Sequence, residues 1–505
     1  MAPDESTGAW PADGELFVGL VAPVGVNLVA VGDAATQALK SVEYGTASVR
    51  FTDVMRGLGQ QFADIPDRPT DARLHRLMDL GNDLRSQSGS PAAMAMLGVW
   101  GIGAAREAMR AANPPVRRRA YVLRQLKRPE EVAALRRLYG EHFVLIAAYT
   151  GEQDRVDALA GLIAQSNNDM DTSRYRDVAY SLVQRDEKEQ EASGQNLRDT
   201  FWRADLFVDP SDPHRMAAEV SRFIDLLFGR RVSTPTKDEF AMFHAWASAM
   251  RSGSLARQVG AVIFDDWGSL VATGTNDVPR FGGGLYWEGD PDDARDHKLG
   301  RDESDLRRSQ MLAQLFDELA KAGWLAAHLT DVRAGELAER ALHGDDAVLG
   351  SSRAAAVIEY VRAAHAEQTA ITDAARRGVA THDAQMAVTT FPCHECARLI
   401  VAAGIRRVCF VEPYPKSLAA AMYGDSISVG RREAEKVLFE PFLGVAPRVH
   451  ARLFSAEGVT RKAPDGTVLV PAPSEAQLRL TYGGSRLLLD EAEDAFTAPL
   501  TLLRQ

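Results

Sequence analysis

The chain has 505 residues, 46% of them hydrophobic and 25% charged, which is an ordinary globular composition with room for two or three domains. The net charge of −11 argues against a general nucleic-acid binder, and 3 cysteines argue against a secreted, disulfide-stapled protein, so we expect a cytoplasmic location. The sequence contains no apolar run of about 18 residues or more, which predicts that it has no membrane span. Residues 1–14 are acidic and rich in Pro, Ser and Gly, and we predict a disordered leader there.

The first predicted elements have the layout of a phosphate-binding loop. An apolar strand at residues 16–21 is followed by a glycine-containing loop and a helical pattern, and Gly19 and Gly25 are the candidate loop glycines. Val26 and Asn27 stand where such a loop carries lysine and a hydroxyl residue. Phosphoryl transfer is therefore not expected, whereas nucleotide binding and a purely structural role both stay open.

Apolar strands alternate with helical patterns through the rest of the first half. The strand candidates are residues 121–123, 141–149 and 205–208. This alternation predicts a parallel α/β sheet. An apolar helix at 216–228 ends at Gly229, and residues 230–237 have the composition of a linker. We therefore assign residues 15–233 to a first domain.

The second half opens with a helix at residues 237–251. The other predicted elements are hairpin strands at 258–264 and 269–275, helices at 304–322 and 331–342, and strands at 386–390 and 407–411. A long insertion at about 281–350 begins glycine-rich and acidic, and an apolar-to-polar rhythm returns over 355–378. We assign residues 234–460 to a second domain and 461–505 to a C-terminal extension.

Two short motifs in the second domain carry the chemistry. One is His-x-Glu at His365 and Glu367, and the other is Pro-Cys-x-x-Cys at Cys393 and Cys396. One imidazole and two thiolates give zinc three protein ligands and leave a fourth position for water, as a catalytic site requires. Glu367 lies two residues from His365, near enough to move protons without binding the metal. The pair of motifs is the signature of zinc nucleobase deaminases, which predicts Zn²⁺ as the cofactor and Glu367 as the proton shuttle.

A second interpretation of these motifs is a structural zinc knuckle or a redox pair, as a lone Cys-x-x-Cys often is. A structural site needs a fourth ligand. The third cysteine, Cys409, lies in an apolar run that predicts a buried strand, so His394 or another of the 11 histidines would have to close the site. Glu367 favours the catalytic interpretation, because a structural site has no use for a carboxylate beside an open zinc.

Further segments support a resemblance to a known family. Together with the two motifs, Arg-Gln-Val-Gly-Ala-Val at 257–262 and Gly-Thr-Asn at 274–276 make residues 235–455, apart from the insertion, resemble the deoxycytidylate deaminase family. A closer resemblance is to bacterial anti-phage dCTP deaminases, through Phe-Pro-Cys-His at 391–394, Val-Ala-Ala-Gly-Ile at 401–405, Glu-Pro-Tyr-Pro-Lys-Ser at 412–417, Asp-Ser-Ile at 425–427 and Pro-Phe-Leu-Gly-Val-Ala-Pro-Arg at 441–448. The resemblance implies an α/β chain in which a degenerate P-loop-kinase-like parallel-sheet domain precedes a cytidine-deaminase-like three-layer α/β/α domain.

The same resemblance implies substrate-binding roles outside the motifs. Asn276, at a strand end, would hydrogen-bond the sugar. Arg257, Lys416 and Arg448 are candidate phosphate contacts, because a nucleotide needs cationic neutralisation, and Tyr414 is a candidate for stacking on the base. Each also has a structural interpretation: a turn residue for Asn276, surface ion pairs for the three cations, and packing for Tyr414.

The predicted reaction is hydrolytic deamination of a deoxycytidine nucleotide, dCTP or dCMP, to the deoxyuridine nucleotide and ammonia. The closer resemblance links it to depletion of the dCTP pool in anti-phage defence. We also predict a homo-oligomer and a nucleotide or phage-derived trigger at the N-terminal domain. The alternatives are a polynucleotide-editing cytidine deaminase, a nucleotide sensor or kinase with a structural zinc, and a regulatory scaffold. An editing enzyme needs a basic groove interleaved with aromatic side chains, whereas this chain is acidic and only 7% aromatic.

Overall fold

The computed structural model describes most of the chain. The described residues are 14–59, 62, 64–112, 116–187, 189, 194–343, 347–349, 352, 360–414, 416–457, 459–476, 478–479 and 486–501. The predicted leader lies outside them, apart from Gly14. The described chain divides into two compact units. The first unit contains the residues up to Glu239 and those from Leu443 onward, and the second unit runs from Phe240 to Phe442.

Strands and helices alternate along most of the described chain. The strands are β1 (Leu16–Val21), β2 (Gly45–Arg50), β3 (Arg119–Arg124), β4 (Phe143–Ala148), β5 (Leu206–Val208), β6 (Gly260–Phe264), β7 (Leu270–Thr275), β8 (Gln385–Thr390), β9 (Arg407–Glu412), β10 (Ile427–Val429), β11 (Val437–Pro441) and β12 (Gly444–Val445). The α-helices are α1 (Leu28–Lys40), α2 (Phe51–Arg56), α3 (Thr70–Ser88), α4 (Ala93–Ala111), α5 (Pro129–Tyr139), α6 (Glu152–Ser166), α7 (Arg176–Glu187), α8 (Leu197–Phe201), α9 (Pro213–Leu227), α10 (Lys237–Ala249), α11 (Asp296–Leu299), α12 (Glu303–Lys321), α13 (Ala334–His343), α14 (Ala366–Arg376), α15 (His394–Ala402), α16 (Ala419–Met422), α17 (Pro447–Phe454) and α18 (Arg486–Thr501). Short 3₁₀ helices lie at Gly140–His142, Thr172–Tyr175, Ala327–Leu329 and Pro473–Glu475. None of the described helices combines the length and the apolar character that crossing a membrane requires.

The first unit is built on a sheet in the order β12–β5–β4–β1–β3–β2. Its strands β1 to β5 pair in parallel, and β12 runs antiparallel beside β5. Strands β1 and β4 have neighbours on both sides, and every residue in them is buried. Burial on both faces explains their unbroken apolar sequences, because helices cover both sides of parallel sheets. The predicted parallel α/β sheet of the first half is confirmed.

The predicted C-terminal domain boundary differs from the observed units. The sequence predicts a second domain over residues 234–460, whereas the second unit ends at Phe442. Strand β12, which follows directly, pairs with β5 of the first unit. The predicted extension, 461–505, contributes helix α18, whose Leu500 is buried in a core cluster of the first unit. The difference arises because pairing between strands far apart in sequence leaves no local signal.

The second unit is built on a sheet in the order β10–β11–β9–β8–β6–β7. Strand β6 pairs antiparallel with β7 on one side and with β8 on the other, and β8, β9, β11 and β10 continue the sheet in parallel. The predicted hairpin corresponds to β6 and β7. Its turn contains Gly268 with φ of +86°, a left-handed conformation that glycine adopts without steric cost. The α/β prediction is therefore confirmed for this unit as well.

Two glycines show that helices cover both faces of the second sheet. A Cβ on Gly260 would lie 1.9 Å from the carbonyl oxygen of Ala245 in α10, and one on Gly274 would lie 2.0 Å from that of Ala366 in α14. In the β6–β7 pair, Gly274 is opposite Ala261, the neighbour of Gly260. Because successive strand residues point to opposite faces, α10 and α14 lie on opposite sides of the sheet. The second unit therefore has three layers.

Substituting Gly274 with alanine is expected to destabilise the second unit by about 1–3 kcal/mol or more, because the added methyl group overlaps the backbone of α14. The overlap involves the main-chain atoms of Ala366 and Ala370, which cannot rotate away as a side chain can. The melting temperature of the zinc-loaded protein should fall, and so should its zinc content, because α14 begins directly after His365.

The matched control for this substitution is Gly335→Ala in α13. No atom lies within 4 Å of a Cβ built on Gly335. The control should leave the melting temperature unchanged or raise it slightly, since alanine favours helices over glycine by up to about 1 kcal/mol. Equal melting temperatures for Gly274→Ala and the unsubstituted protein would contradict the close approach of α14 to β7.

Helix α14 is shorter than the rhythm over residues 355–378 indicates, and the first part of that range, 355–359, lies outside the described residues. Ala364 forms an antiparallel bridge with Asp277, with N–H···O distances of 3.0 and 3.2 Å. This long-range pairing keeps the chain extended up to His365, so helix α14 begins at Ala366.

Candidate metal centre

Cys393 and Cys396 meet at the beginning of helix α15. Cys393 is the residue that precedes the helix, with extended backbone angles (φ −68°, ψ 168°), and Cys396 lies in the first turn and is fully buried. The helix ends close to Gly404, whose φ is +70°. A helix N-terminus favours a thiolate, because its unpaired N–H groups carry partial positive charge.

His365 lies at the beginning of the neighbouring helix, α14. Its backbone is extended (φ −70°, ψ 158°), and its N–H donates a hydrogen bond of 3.0 Å to Oε1 of Gln368 in the first turn. This contact anchors the backbone of His365 at the helix start. Two helix N-termini therefore present the nitrogen and sulfur ligands.

The three predicted ligands converge. Nδ1 of His365 lies 3.2 Å from Sγ of Cys396 and 3.3 Å from Sγ of Cys393, and the three ligand atoms all lie within 4.8 Å of one another. Tetrahedral zinc with bonds of about 2.0–2.3 Å separates its ligand atoms by roughly 3.5 Å, so this donor set fits zinc after small adjustments. Among the described residues, no fourth His, Cys, Asp or Glu joins the group, and His394 is not part of it.

The ligand side chains shift one another's protonation. Hydrogen bonds from Cys396 and His365 lower the pKa of Cys393 to about 4. The contact with Cys393 raises the pKa of His365 and also that of Cys396. These contacts favour the thiolate form of Cys393, which is the form that binds zinc.

Glu367 lies in the first turn of α14 and is 4% exposed. Burial raises the pKa of its carboxyl group, because the charged form loses hydration. Glu367 also lines the cavity beside His365 and Cys393. Such a carboxyl group is suited to taking up and releasing a proton beside the metal ligands.

A cavity of about 440 Å³ adjoins the ligands, a size typical of small-molecule sites. Its lining includes His365, Glu367 and Cys393 from the motifs, Arg257, Asn276, Tyr414 and Lys416 from the predicted substrate contacts, and Arg308 and Thr390. Tyr414 is partly buried, which raises the pKa of its hydroxyl. The structure thus brings most of the predicted substrate-binding residues together beside the candidate zinc ligands.

Asn276 lines this cavity while holding the loop before β6. Its Oδ1 accepts a hydrogen bond of 2.7 Å from the N–H of Val259, and its Nδ2 donates one of 2.7 Å to the carbonyl of Arg257. The side chain of Arg257 is 53% exposed and lies 3.8 Å from the carboxylate of Glu412. An amide has further donor and acceptor capacity, so these contacts leave Asn276 able to meet a ligand hydroxyl.

Arg448 is not part of this cavity. It lies in α17 of the first unit, where Nη1 donates to the carbonyl of Arg203 at 3.0 Å and pairs with Asp205 at 3.2 Å. Arg448 therefore forms an ion pair, as in its structural interpretation, and its phosphate contact stays a prediction.

The predicted phosphate-loop glycines have packing roles in the first unit. Gly19 lies inside β1 and not in the loop, and a Cβ there would lie 2.7 Å from the ring of Phe143. Gly25 lies in the loop with φ of +89°, where a Cβ would lie 2.7 Å from the carbonyl oxygen of Arg155. Asn27 accepts from the N–H of Ala30 and so begins α1.

The carboxylate of Asp186 accepts a hydrogen bond from the backbone of the loop that contains Gly25. The N–H of Val24 donates to Oδ2 of Asp186 at 2.7 Å, and Nζ of Lys127 lies 2.6 Å from Oδ1 of the same side chain. Asp186 is 1% exposed. A negative group from α7 is thus already held by the loop amide and a lysine, the donor types that bind phosphate elsewhere.

The lining also includes residues that the sequence analysis did not identify as functional, among them Arg308 and Thr390. Arg308 lies in helix α12 of the insertion, far from either motif, so no local pattern marks it. Thr390 directly precedes the cysteine motif, at the end of β8. Its Oγ1 is buried and forms no hydrogen bond with a described residue, so this hydroxyl is available to a bound molecule.

Comparison with known proteins gives matches that include this region. Residues 235–412 match the family model of the cytidine and deoxycytidylate deaminase zinc-binding region. ComE operon protein 2 of Bacillus subtilis is 42% identical over 53 residues, and the deoxycytidylate deaminase of Enterobacteria phage T2 is 43% identical over 53 residues. Each of these matches covers 10% of this chain and 28% of the relative.

Solved structures of a dCMP deaminase from cyanophage S-TIM5 also match. The form in complex with dCMP and dUMP is 16% identical over 42% of this chain and 99% of that chain, with a TM-score of 0.23, and the apo form is 15% identical with a TM-score of 0.22. His365, Cys393 and Cys396 all lie inside the region that matches the zinc-binding family model. The prediction of a zinc-binding region of the deaminase type is confirmed.

Proposed function

We propose that this protein is a zinc-dependent hydrolase that converts a free deoxycytidine nucleotide to the deoxyuridine nucleotide and ammonia. The observation that carries the proposal is one cavity, lined by zinc ligands, by the buried carboxyl of Glu367 and by Arg257 and Lys416. Metal ligands and a proton carrier suit hydrolysis of an amino group on a base, and cations suit the phosphates that a nucleotide carries.

Each residue of the cavity has a role in this reaction. His365, Cys393 and Cys396 would hold the zinc, which when bound would supply a water molecule made nucleophilic near neutral pH. Glu367 would take one proton from the attacking water and deliver it to the ring nitrogen of the base. It would then carry the second water proton, from the newly added hydroxyl group, to the departing amino group, which leaves as ammonia. In the same proposal, Asn276 hydrogen-bonds the deoxyribose and Tyr414 packs against the base.

A free nucleotide fits these observations better than a nucleic-acid strand. The cavity has the volume of a small-molecule site, and the chain carries a formal net charge of −11. Deaminases that act on strands hold the flanking nucleotides along basic, aromatic-rich grooves.

The finer part of the proposal is that the preferred nucleotide is dCTP and that the reaction depletes the dCTP pool in anti-phage defence. It is supported by the resemblance to bacterial anti-phage dCTP deaminases through segments such as 412–417 and 441–448. A nucleotide or phage-derived trigger at the first unit and assembly into a homo-oligomer belong to the same proposal. Thiol ligands need a reducing compartment, so we place the reaction in the cytoplasm.

A competition experiment tests this function. The purified protein is incubated with equimolar dCTP, dCMP, CTP and a cytosine-containing single-stranded oligonucleotide, and uracil products are separated chromatographically. We expect dUTP to form first, and a parallel reaction after zinc chelation should form none. Preferential deamination of the oligonucleotide would contradict the free-nucleotide proposal, and preference for CTP would contradict its deoxyribose part.

A further inference from the structure

Three cationic side chains line the cavity beside the zinc ligands, from three separate parts of the second unit. Arg257 lies before β6, Lys416 follows β9, and Arg308 lies in α12 of the insertion. Glu367 is the one carboxylate among the described lining residues. The insertion therefore adds a third positive charge to a site in which the proposed function needs phosphate contacts.

The contacts of Arg308 leave part of its guanidinium group available. Nη1 pairs with Asp305, one turn earlier on α12, at 2.8 Å, and the side chain is 20% exposed. Its Nε is buried and forms no hydrogen bond with any residue that the structure describes. A buried donor without a partner carries a desolvation cost, which a bound anion would relieve.

The side chains at the two ends of the cavity differ in their exposure to solvent. Glu367 is 4% exposed and Cys393 is 7% exposed, whereas the side chain of Arg257 is 53% exposed and Lys416 is also exposed. A nucleotide whose base reaches the buried ligands must direct its phosphates toward this cationic end. Each phosphate beyond the first adds negative charge and acceptor oxygens, so a longer phosphate chain offers a third cation additional acceptors.

We propose that Arg308 is the residue that selects a triphosphate over a monophosphate, by donating hydrogen bonds to the outer phosphates of the nucleotide. This inference rests on the proposed function and names its substrate class. Arg257 and Lys416 meet the phosphate nearest the sugar, which dCTP and dCMP share. The planar guanidinium group suits this role, because its fork of N–H donors matches phosphate oxygens.

The test is the kinetics of Arg308→Gln with dCTP and dCMP. We expect KM for dCTP to rise roughly ten- to hundredfold, the range for losing a hydrogen bond to a charged group. The value of kcat at saturating dCTP should stay within about twofold, since the lost contact is made equally in the ground and transition states. Both constants for dCMP should change by less than about threefold, because dCMP lacks the outer phosphates. Inorganic tripolyphosphate should inhibit the unsubstituted enzyme competitively and inhibit Arg308→Gln more weakly.

Two further variants complete the design. Arg307→Gln removes the neighbouring arginine on α12, whose side chain is 57% exposed and pairs with Glu303, and it should leave KM for both nucleotides unchanged. Arg308→Lys keeps the charge and should restore part of the affinity for dCTP, which a general loss of folding would not allow.

The experiments distinguish a failure of the Arg308 proposal from a failure of the proposed function. If Arg308→Gln raises KM by the same factor for dCTP and dCMP, or changes neither, the role of Arg308 is overturned and the deaminase proposal stays intact. If the unsubstituted protein deaminates none of the free cytosine nucleotides, the proposed function fails and this inference fails with it.

Discussion

Replacing Glu367 with alanine is expected to lower the rate of deamination at least ~100-fold, the usual lower bound for losing a positioned general acid–base. The carboxyl group is buried at the beginning of α14 and lines the cavity beside His365 and Cys393. It lies outside the group of converging ligand atoms, so its loss should leave the zinc content near one per chain. The measurements are kcat from chromatographic product analysis, metal content, and the melting temperature.

The matched control is Glu395→Ala. Glu395 is also an acidic residue in the first turn of a helix next to the ligands, but its side chain is 34% exposed and pairs with Arg398. This control should keep most of the activity. Near-normal turnover by Glu367→Ala would show that another group moves the proton, and loss of zinc from that variant would show a structural role for Glu367.

Replacing Cys393 or Cys396 with serine is expected to remove the zinc and with it the activity, because each thiolate is one of three protein ligands. Both sulfurs lie within 3.3 Å of Nδ1 of His365, and both residues are buried. The zinc content of the purified variants should therefore fall from about one zinc per chain to nearly none, since two remaining ligands hold zinc weakly.

Cys409→Ser makes the same chemical change at the third cysteine. Cys409 is buried in β9 and is not part of the ligand group, so this variant should retain zinc even if it is less stable. Circular dichroism separates loss of metal from loss of fold in all three variants. Undiminished zinc in both Cys393→Ser and Cys396→Ser would refute the metal centre.

The central strands could be predicted closely from the sequence, because burial on both faces leaves an unbroken apolar run. Strand β1 has the predicted bounds, and β4 lies inside the predicted range. Strand β2 was missed, because Gly45–Arg50 is an edge strand in which only Val49 is buried. Strand β12 has two residues, which is too short for any periodicity.

The candidate ligands were recognisable because each motif is local. His365 and Glu367 lie two residues apart at one helix start, and Cys393 and Cys396 lie three apart at another. That spacing places both members of each pair on the same helix turn, which a sequence pattern records directly. The roles of these residues in the reaction remain predictions.

The sequence by itself determined the candidate zinc ligands, the α/β class and the central strands, because each depends on residues close together in the chain. Only the tertiary structure decided which distant side chains share the cavity. It placed Arg308 of the insertion, which no sequence motif marks, in the cavity that the ligands line, and it placed Arg448 against Asp205 in the first unit. It also showed that the backbone N–H of Val24 in the loop donates a hydrogen bond to Asp186. These positions depend on strand pairing and helix packing between segments far apart in the chain, and the local identity of a residue contains no record of its distant neighbours.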